Sequence, residues 1–151
     1  MRSGSRFSGR PLHAGVAVGP VLALDQPLSF WGGYSATEGR IVAEGHPQRG
    51  MRAVDHVLVM PSEVGSSSSA SVFAEAIRLG TAPAAIITGH SDGILLAGAL
   101  VGAQLYDVVV PIIAMAPEDV ARVQTGLMLS IDVDGGCCVE DPDPARAEVQ
   151  R

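Results

Sequence analysis

Two short runs limit what this chain of 151 residues can become. "DHVLVMP" (Asp55–Pro61) and "APAAIIT" (Ala82–Thr88) are apolar at nearly every consecutive position. Successive side chains of a strand point to opposite faces, so a strand without a polar alternation has no face left for water. Such a strand must lie inside a sheet covered on both sides. Each run is followed by turn residues and then by a helical pattern. Val72, Phe73, Ala76 and Ile77 recur at helical spacing within 67–79, and Gly80 stops that helix. Strand, helix, strand, helix in this order predicts an α/β domain with a largely parallel central sheet.

The remaining segments fit around that centre. "HAGVAVGPVLALD" (His13–Asp25) reads as β structure bent at Gly19-Pro20, "PLSFWGGYSATEGR" (27–40) as a loop, and "RIVAEG" (40–45) as a short strand. After Thr88, Ser91 is placed to cap a helix reaching Tyr106. That helix is apolar almost all round, which predicts that it is sandwiched. "VVVPIIAM" (108–115) reads as a third buried strand and "PEDVARVQ" (117–124) as a short helix with proline at its first position. "GLMLSIDVDGGCCVE" (126–140) reads as two strands around a Gly-Gly turn, an attached β layer. Residues 1–11 read as a flexible arm, 12–140 as the domain and 141–151 as a polar tail.

Composition excludes several function classes. Net charge is −6 with no basic cluster, which argues against nucleic acid. The longest apolar run, Ile94–Leu105, is too short and glycine-rich to span a bilayer, so no membrane partner is expected. The start "MRSGSRFSGR" leads into no leader-like apolar stretch. Cys137 and Cys138 are adjacent and face opposite ways in a strand, as expected of free thiols in a reducing cytoplasm. Two thiols are too few to hold an iron–sulfur cluster. His13, His46, His56 and His90 show no metal-ligand spacing. With 47% hydrophobic and only 17% charged residues, part of the apolar surface is expected to meet a partner.

The first βα junction holds the candidate site. "MPSEVGSSSSAS" places Gly65 and then four serines, Ser66–Ser69, where the first strand hands over to its helix. The first N–H groups of a helix lack internal acceptors and sit at the positive end of its dipole, so they favour an anion. Gly65 permits close backbone approach, and small hydroxyls add donors. Spacing alone leaves a second reading open, a helix with a generous cap. The segment is neither a Walker loop, since no lysine follows, nor a nucleophile elbow. Trp31, beside Gly32 and Gly33, reads either as a packing or interface anchor or as a wall of the cleft.

Three segments in order, "PLSFWGG" (27–33), "VLVMP" with "GSSSSAS" (57–71) and "GTAPAAIIT" (80–88), resemble the aconitase X swivel-domain family over residues 12–135. The resemblance implies a swivelling β/β/α domain. It also implies the small subunit, or a fused terminal domain, of a dehydratase. An aconitase-X large subunit would be its partner, carrying iron or an iron–sulfur cluster, with no cofactor on this chain. Substrates in the family include cis-3-hydroxy-L-proline and phosphomevalonate. Carried over by position, Ser66 becomes the base that takes the substrate proton. Gly65, Ser67, Ser68, Trp31, Gly32 and Gly33 become the substrate-binding residues. The arginine that aconitase places after this serine is absent here, and so is the basic residue that many relatives place before the glycine. Glu63 stands in that segment instead, an expected repulsion for a phosphate, which favours hydroxyproline. A non-catalytic scaffold with the same fold is the other reading. The serines are expected to act in a gradient, with Ser66→Ala severe, Ser67→Ala weakening substrate binding and Ser69→Ala nearly silent.

Overall fold

The computed structural model describes residues 3–140. Along them run β1 (Arg6–Ser8), β2 (Arg10–His13), β3 (Ala17–Ala23), a single turn α1 (Phe30–Gly33), β4 (Tyr34–Ser35), β5 (Arg40–Ile41) and β6 (Val57–Met60). Next come α2 (Ser69–Leu79), β7 (Ala85–Thr88), α3 (Ile94–Tyr106), β8 (Ile112–Ala114), α4 (Pro117–Val120), β9 (Met128–Ile131) and β10 (Gly136–Glu140).

The two apolar runs are the centre of the sheet. β3, β6, β7 and β8 are parallel neighbours, and every residue of β6 and β7 is buried. Their alternate side chains divide between two cores. Leu58, Met60, Ile86 and Ile112 pack with Phe73, Ala76, Ile77, Leu95 and Ala99 of α2 and α3. Val57, Val59, Ala85, Ile87 and Ile113 pack on the other face with Phe7, Leu129, Ile131, Cys137 and Val139. Fully burying each of the larger aliphatic side chains contributes about 1.5–3 kcal/mol. The domain is thus α/β, with a parallel centre, α2 and α3 on one face and an antiparallel β layer with α4 on the other.

That second face explains the first correction. The sheet runs β1-β10-β9-β3-β6-β7-β8-β2, and its two end strands are consecutive in the chain with only Gly9 between them. β1 pairs antiparallel with β10, and β2 with β8, so the curled sheet is joined at its ends by one residue. Residues 6–8 and 10–11, expected to be part of a flexible arm, are strand residues, and Phe7 is a core residue. A Cβ at Gly9 would collide with Ile113 Cγ2, so glycine is what lets the corner close. The arm reading failed because the pairing partners lie more than 100 residues away, where no local pattern registers them. The expected tail, 141–151, lies outside the described residues.

Three further expectations change. Gly19-Pro20 does not interrupt β3; the strand continues and changes partner there, from β9 at Ala17–Pro20 to β6 at Val21–Ala23. Ser91 does not cap α3, which starts later behind Gly93, whose φ is +84°. Nor is α3 sandwiched. It buries Leu95, Gly98, Ala99 and Gly102 but exposes Leu100, Val101 and Leu105. The helix approaches α2 through glycines; a Cβ on Gly98 would lie 2.7 Å from the Ala70 carbonyl oxygen. Two glycines face the neighbouring helix, so the larger side chains fall on the outside. Gly80 does end α2, with φ +75° and its N–H donated to the Ala76 and Ile77 carbonyls. Among the described residues no helix is long and apolar enough to cross a membrane.

Candidate functional site

The loops that follow β3, β6 and β7 emerge at the same edge of the sheet, beyond the carboxyl ends of the parallel strands. Ligands of open α/β sheets bind at this edge. The first loop carries Trp31, the second Gly65–Ser68, and the third Ser91 and Asp92.

Ser69 holds the first loop to the second. It is the one buried serine of the four, at 2% exposure, and its Oγ accepts the Trp31 N–H at 2.9 Å. Ser29 donates its hydroxyl to the Trp31 carbonyl at 3.0 Å and lies 3.5 Å from Ser69 Oγ. Phe30 stacks on Tyr34 with ring centres 4.6 Å apart and meets Phe73 of α2 edge-on. Tyr34 donates its hydroxyl to the Thr81 carbonyl at 2.6 Å. The result is a fixed turn from which the Trp31 indole projects, 58% exposed. Gly32 beside it has φ +76°, and Gly33 is buried against Leu28 and Ala43. Its exposure rules out core packing for Trp31, so of the sequence readings the interface anchor and the cleft wall are the two that remain.

Gly65 is required twice over. Its φ is +106°, a region that side chains rarely adopt, and a Cβ there would strike the Ser29 side chain. This close contact aims the serines. Ser66 and Ser67 are exposed, Ser68 is half-buried and Ser69 is buried. Ser66 Oγ accepts the Ser68 N–H at 3.1 Å, and a donor on an oxygen favours its negatively charged form. The N–H groups of Ser66 and Ser67 meet no protein acceptor among the described residues. Ser68, at the cap position of α2, makes no capping bond with its side chain. Two backbone donors and two hydroxyls are thus left open at the positive end of an 11-residue helix, enough to solvate a small anion.

Glu63 is not where the sequence suggested. Its side chain turns inward, 5% exposed, and Oε2 accepts the Ser91 hydroxyl at 2.6 Å and the Asp92 N–H at 2.9 Å. Burial pushes its carboxyl above the ordinary range, and those two donors offset part of that shift. It does not stand at the mouth of the site as a repelling charge. A separate cleft of about 540 Å³ lies between Leu24–Asp25, Pro61 and α4, and none of the sequence-predicted site residues lines it.

Sequence reasoning missed Ser29, Ser69 and the Glu63–Ser91 contact. For Ser69 a signal was present: it is four residues before Phe73 and seven before Ala76, on the buried stripe of α2. Ser29 and Ser91 carry no local signal, since their roles depend on which loops become neighbours.

Fold and site together define an α/β domain that presents an open, serine-bearing helix start at its strand ends. The chain belongs to the aconitase X swivel domain family, whose profile matches residues 6–140. It is 38% identical over 103 residues to the cis-3-hydroxy-L-proline dehydratase of Pseudomonas aeruginosa, covering 68% of this chain and 18% of that one. It is 31% identical over 115 residues to the enzyme of that name from Hypocrea jecorina, covering 76% and 19%. The chain thus spans about a fifth of the length of these two relatives. Against the phosphomevalonate dehydratase small subunit of Methanothermobacter thermautotrophicus, identity is 30% over 128 residues, covering 84% of this chain and 93% of that subunit. The crystal structure of Thermococcus kodakaraensis aconitase X (holo-form) superposes with a TM-score of 0.82 at 28% identity, over 91% of this chain and 100% of that one.

Among the described residues the two thiols are not placed to share an iron centre. Cys137 is buried in the second core, where desolvation and then Asp132 push its thiol up to about 11. Cys138 is the next residue along β10, on the other face. Among the described residues no three His, Cys, Asp or Glu side chains come together to hold a metal.

Proposed function

We propose that this chain is the small, swivel-domain subunit of an aconitase-X-type hydro-lyase that dehydrates a small hydroxy acid, cis-3-hydroxy-L-proline, in the cytoplasm. The observation that carries the reading is the state of Ser66. Its hydroxyl is exposed at the start of α2, takes the Ser68 N–H, and stands beside the open N–H groups of Ser66 and Ser67. In the proposed reaction Ser66, as its alkoxide, takes the proton α to the carboxylate. The C–H electron pair forms the C2–C3 double bond, the 3-hydroxyl departs and takes the proton that Ser66 has accepted, leaving as water and restoring the alkoxide, and the enamine becomes a pyrroline carboxylate as a proton moves from nitrogen to C3. Preorganised N–H donors lower the cost of an alkoxide at neutral pH because they need no reorganisation. Gly65 and Ser67 with Ser68 line the anion end of the site, and the turn of Trp31, Gly32 and Gly33 forms its wall. Iron or an iron–sulfur cluster belongs, in this proposal, to an aconitase-X large subunit that completes the cleft. The apolar outer face of α3 is surface of the kind a subunit contact covers.

Substrate choice rests on charge. Segments 24–33, 61–69 and 89–93, which frame the edge, contain no Arg or Lys, and their exposed acidic residues are Asp25 and Asp92, Glu63 being buried. The whole chain has no lysine at all. A phosphate dianion finds no Arg or Lys in these loops and only His90 as a cation, whereas an imino acid brings its own. Phosphomevalonate is the second reading, favoured by the near-complete coverage of the named small subunit. Co-expression with an aconitase X large subunit, followed by assay of the purified complex on both compounds, decides between them. Turnover of cis-3-hydroxy-L-proline is expected. Turnover of phosphomevalonate alone would reverse the order, and an intact complex inactive on both would leave the scaffold reading.

A further inference from the structure

The reactive segment is held by a residue that does not itself face the site. Glu63 lies three positions before Ser66, and three loops converge on it. Its backbone pairs with Leu28 of the first loop in an isolated parallel bridge, and its N–H is donated to the His90 carbonyl at 3.1 Å. Its carboxylate takes Ser91 and Asp92 of the third loop through Oε2. Thr88, fully buried, donates to the same His90 carbonyl at 2.7 Å, which fixes the third loop to β7. One carboxyl oxygen, Oε1, is buried with no partner. A buried polar group without a partner costs about 1–3 kcal/mol. Stability alone is therefore a poor reason for a carboxyl here.

We infer that Glu63 is the positioning residue of the site, tying the three edge loops together so that the Gly65–Ser66 turn presents its hydroxyl and N–H groups in one fixed geometry. The inference rests on the reading of Ser66 as the reacting group. Glu63 acts through the loop and not on the substrate. Its neighbours explain why the carboxyl and not a methyl group does this. Ser91 and Asp92 each offer a donor, and the carboxylate is the acceptor that reaches both. The charged group facing it is Asp92; Ser91 is neutral and His90 contributes only its carbonyl. Repulsion by Asp92 adds to the desolvation that raises the Glu63 pKa. The folded chain then holds a proton that the unfolded chain releases above about 4.5, so this carboxyl lowers stability as pH rises through that window.

Three variants of the full chain test this: Glu63→Gln, Glu63→Ala and Ser91→Ala. Glutamine keeps an oxygen for both donors and cannot ionise. In the complex with the large subunit, Glu63→Ala is expected to lower kcat about 100-fold, the scale of a misplacement near 1 Å, with KM within about threefold. Ser91→Ala should fall between, and Glu63→Gln should stay within about threefold of the parent. Amide exchange of the full chain gives a readout independent of turnover. Glu63→Ala should speed exchange at Asp92 and at Ser68–Ala70, and Glu63→Gln should not. Melting across pH 4–8 adds a third readout, in which the parent loses ground to Glu63→Gln as pH rises. Unchanged exchange at Ser68–Ala70 in Glu63→Ala, or a fully active Glu63→Ala complex, overturns the inference. If the parent complex turns over neither compound, the functional reading has failed, and the exchange data still decide whether Glu63 orders the loop.

Discussion

Four identical hydroxyls in a row have four different environments, and burial separates them. Ser66 is exposed with its Oγ hydrogen-bonded by one backbone donor, while Ser69 is buried and carries the Trp31 turn. The expected gradient therefore changes at its far end. Ser66→Ala should reduce kcat by several orders of magnitude, the usual scale for loss of a reacting group, while the melting temperature of the chain barely moves. Ser69→Ala, expected from spacing to be silent, should lower unfolding stability by about 1–3 kcal/mol, because the Trp31 N–H loses the Ser69 acceptor in a part-buried place. Urea unfolding and steady-state kinetics on the two variants should give opposite patterns. Equal effects in both assays would mean that the two serines are not divided between chemistry and support.

At the scale of elements, the contact of α2 with α3 decides which side of α3 is covered. Gly98 and Gly102 let the helices close in, and they do so against different atoms. A Cβ at Gly98 meets the Ala70 carbonyl oxygen and the Phe73 ring, and backbone cannot move aside cheaply. At Gly102 it meets side-chain atoms of Ile77, which yield at less cost than backbone. Replacing a helix-interior glycine by alanine contributes about 1 kcal/mol by itself. Overpacking costs about 1–3 kcal/mol. Gly98→Ala should therefore destabilise by about 1–2 kcal/mol net, and Gly102→Ala should be close to neutral. Denaturant midpoints of the two variants test this, and a larger loss at Gly102 would show that α3 does not pack on the Gly98 side as described.

For the molecule as a whole, closure of the curled sheet is the decisive event. Phe7 pairs in register with Cys137 and fills the second core with Val21, Leu129 and Val139. Phe7→Ala should cost about 3–5 kcal/mol of unfolding free energy, the range for a buried phenylalanine, although a reading of residues 1–11 as an arm expects no change. A urea titration distinguishes the two outcomes. The same closure places the three edge loops at one end of a rigid body, which is what a swivelling domain needs if it is to carry them as a unit against a facing subunit.

Local patterning was enough to locate β6, β7, α2 and the glycine stop at 80. Those features depend on side-chain period and on backbone freedom, and both act within a few residues. The α/β class followed from them, because a run that is apolar on both faces has only one kind of place to go. Which residues close the sheet, which face of α3 stays open and which loop Ser69 holds were decided only in three dimensions. Arg6 meets Cys138, Gly98 meets Ala70, and Glu63 meets Ser91. Each of these depends on how far apart two packed segments come to rest. That distance is set by the sum of many side-chain volumes and not by the sequence on either side of any one residue.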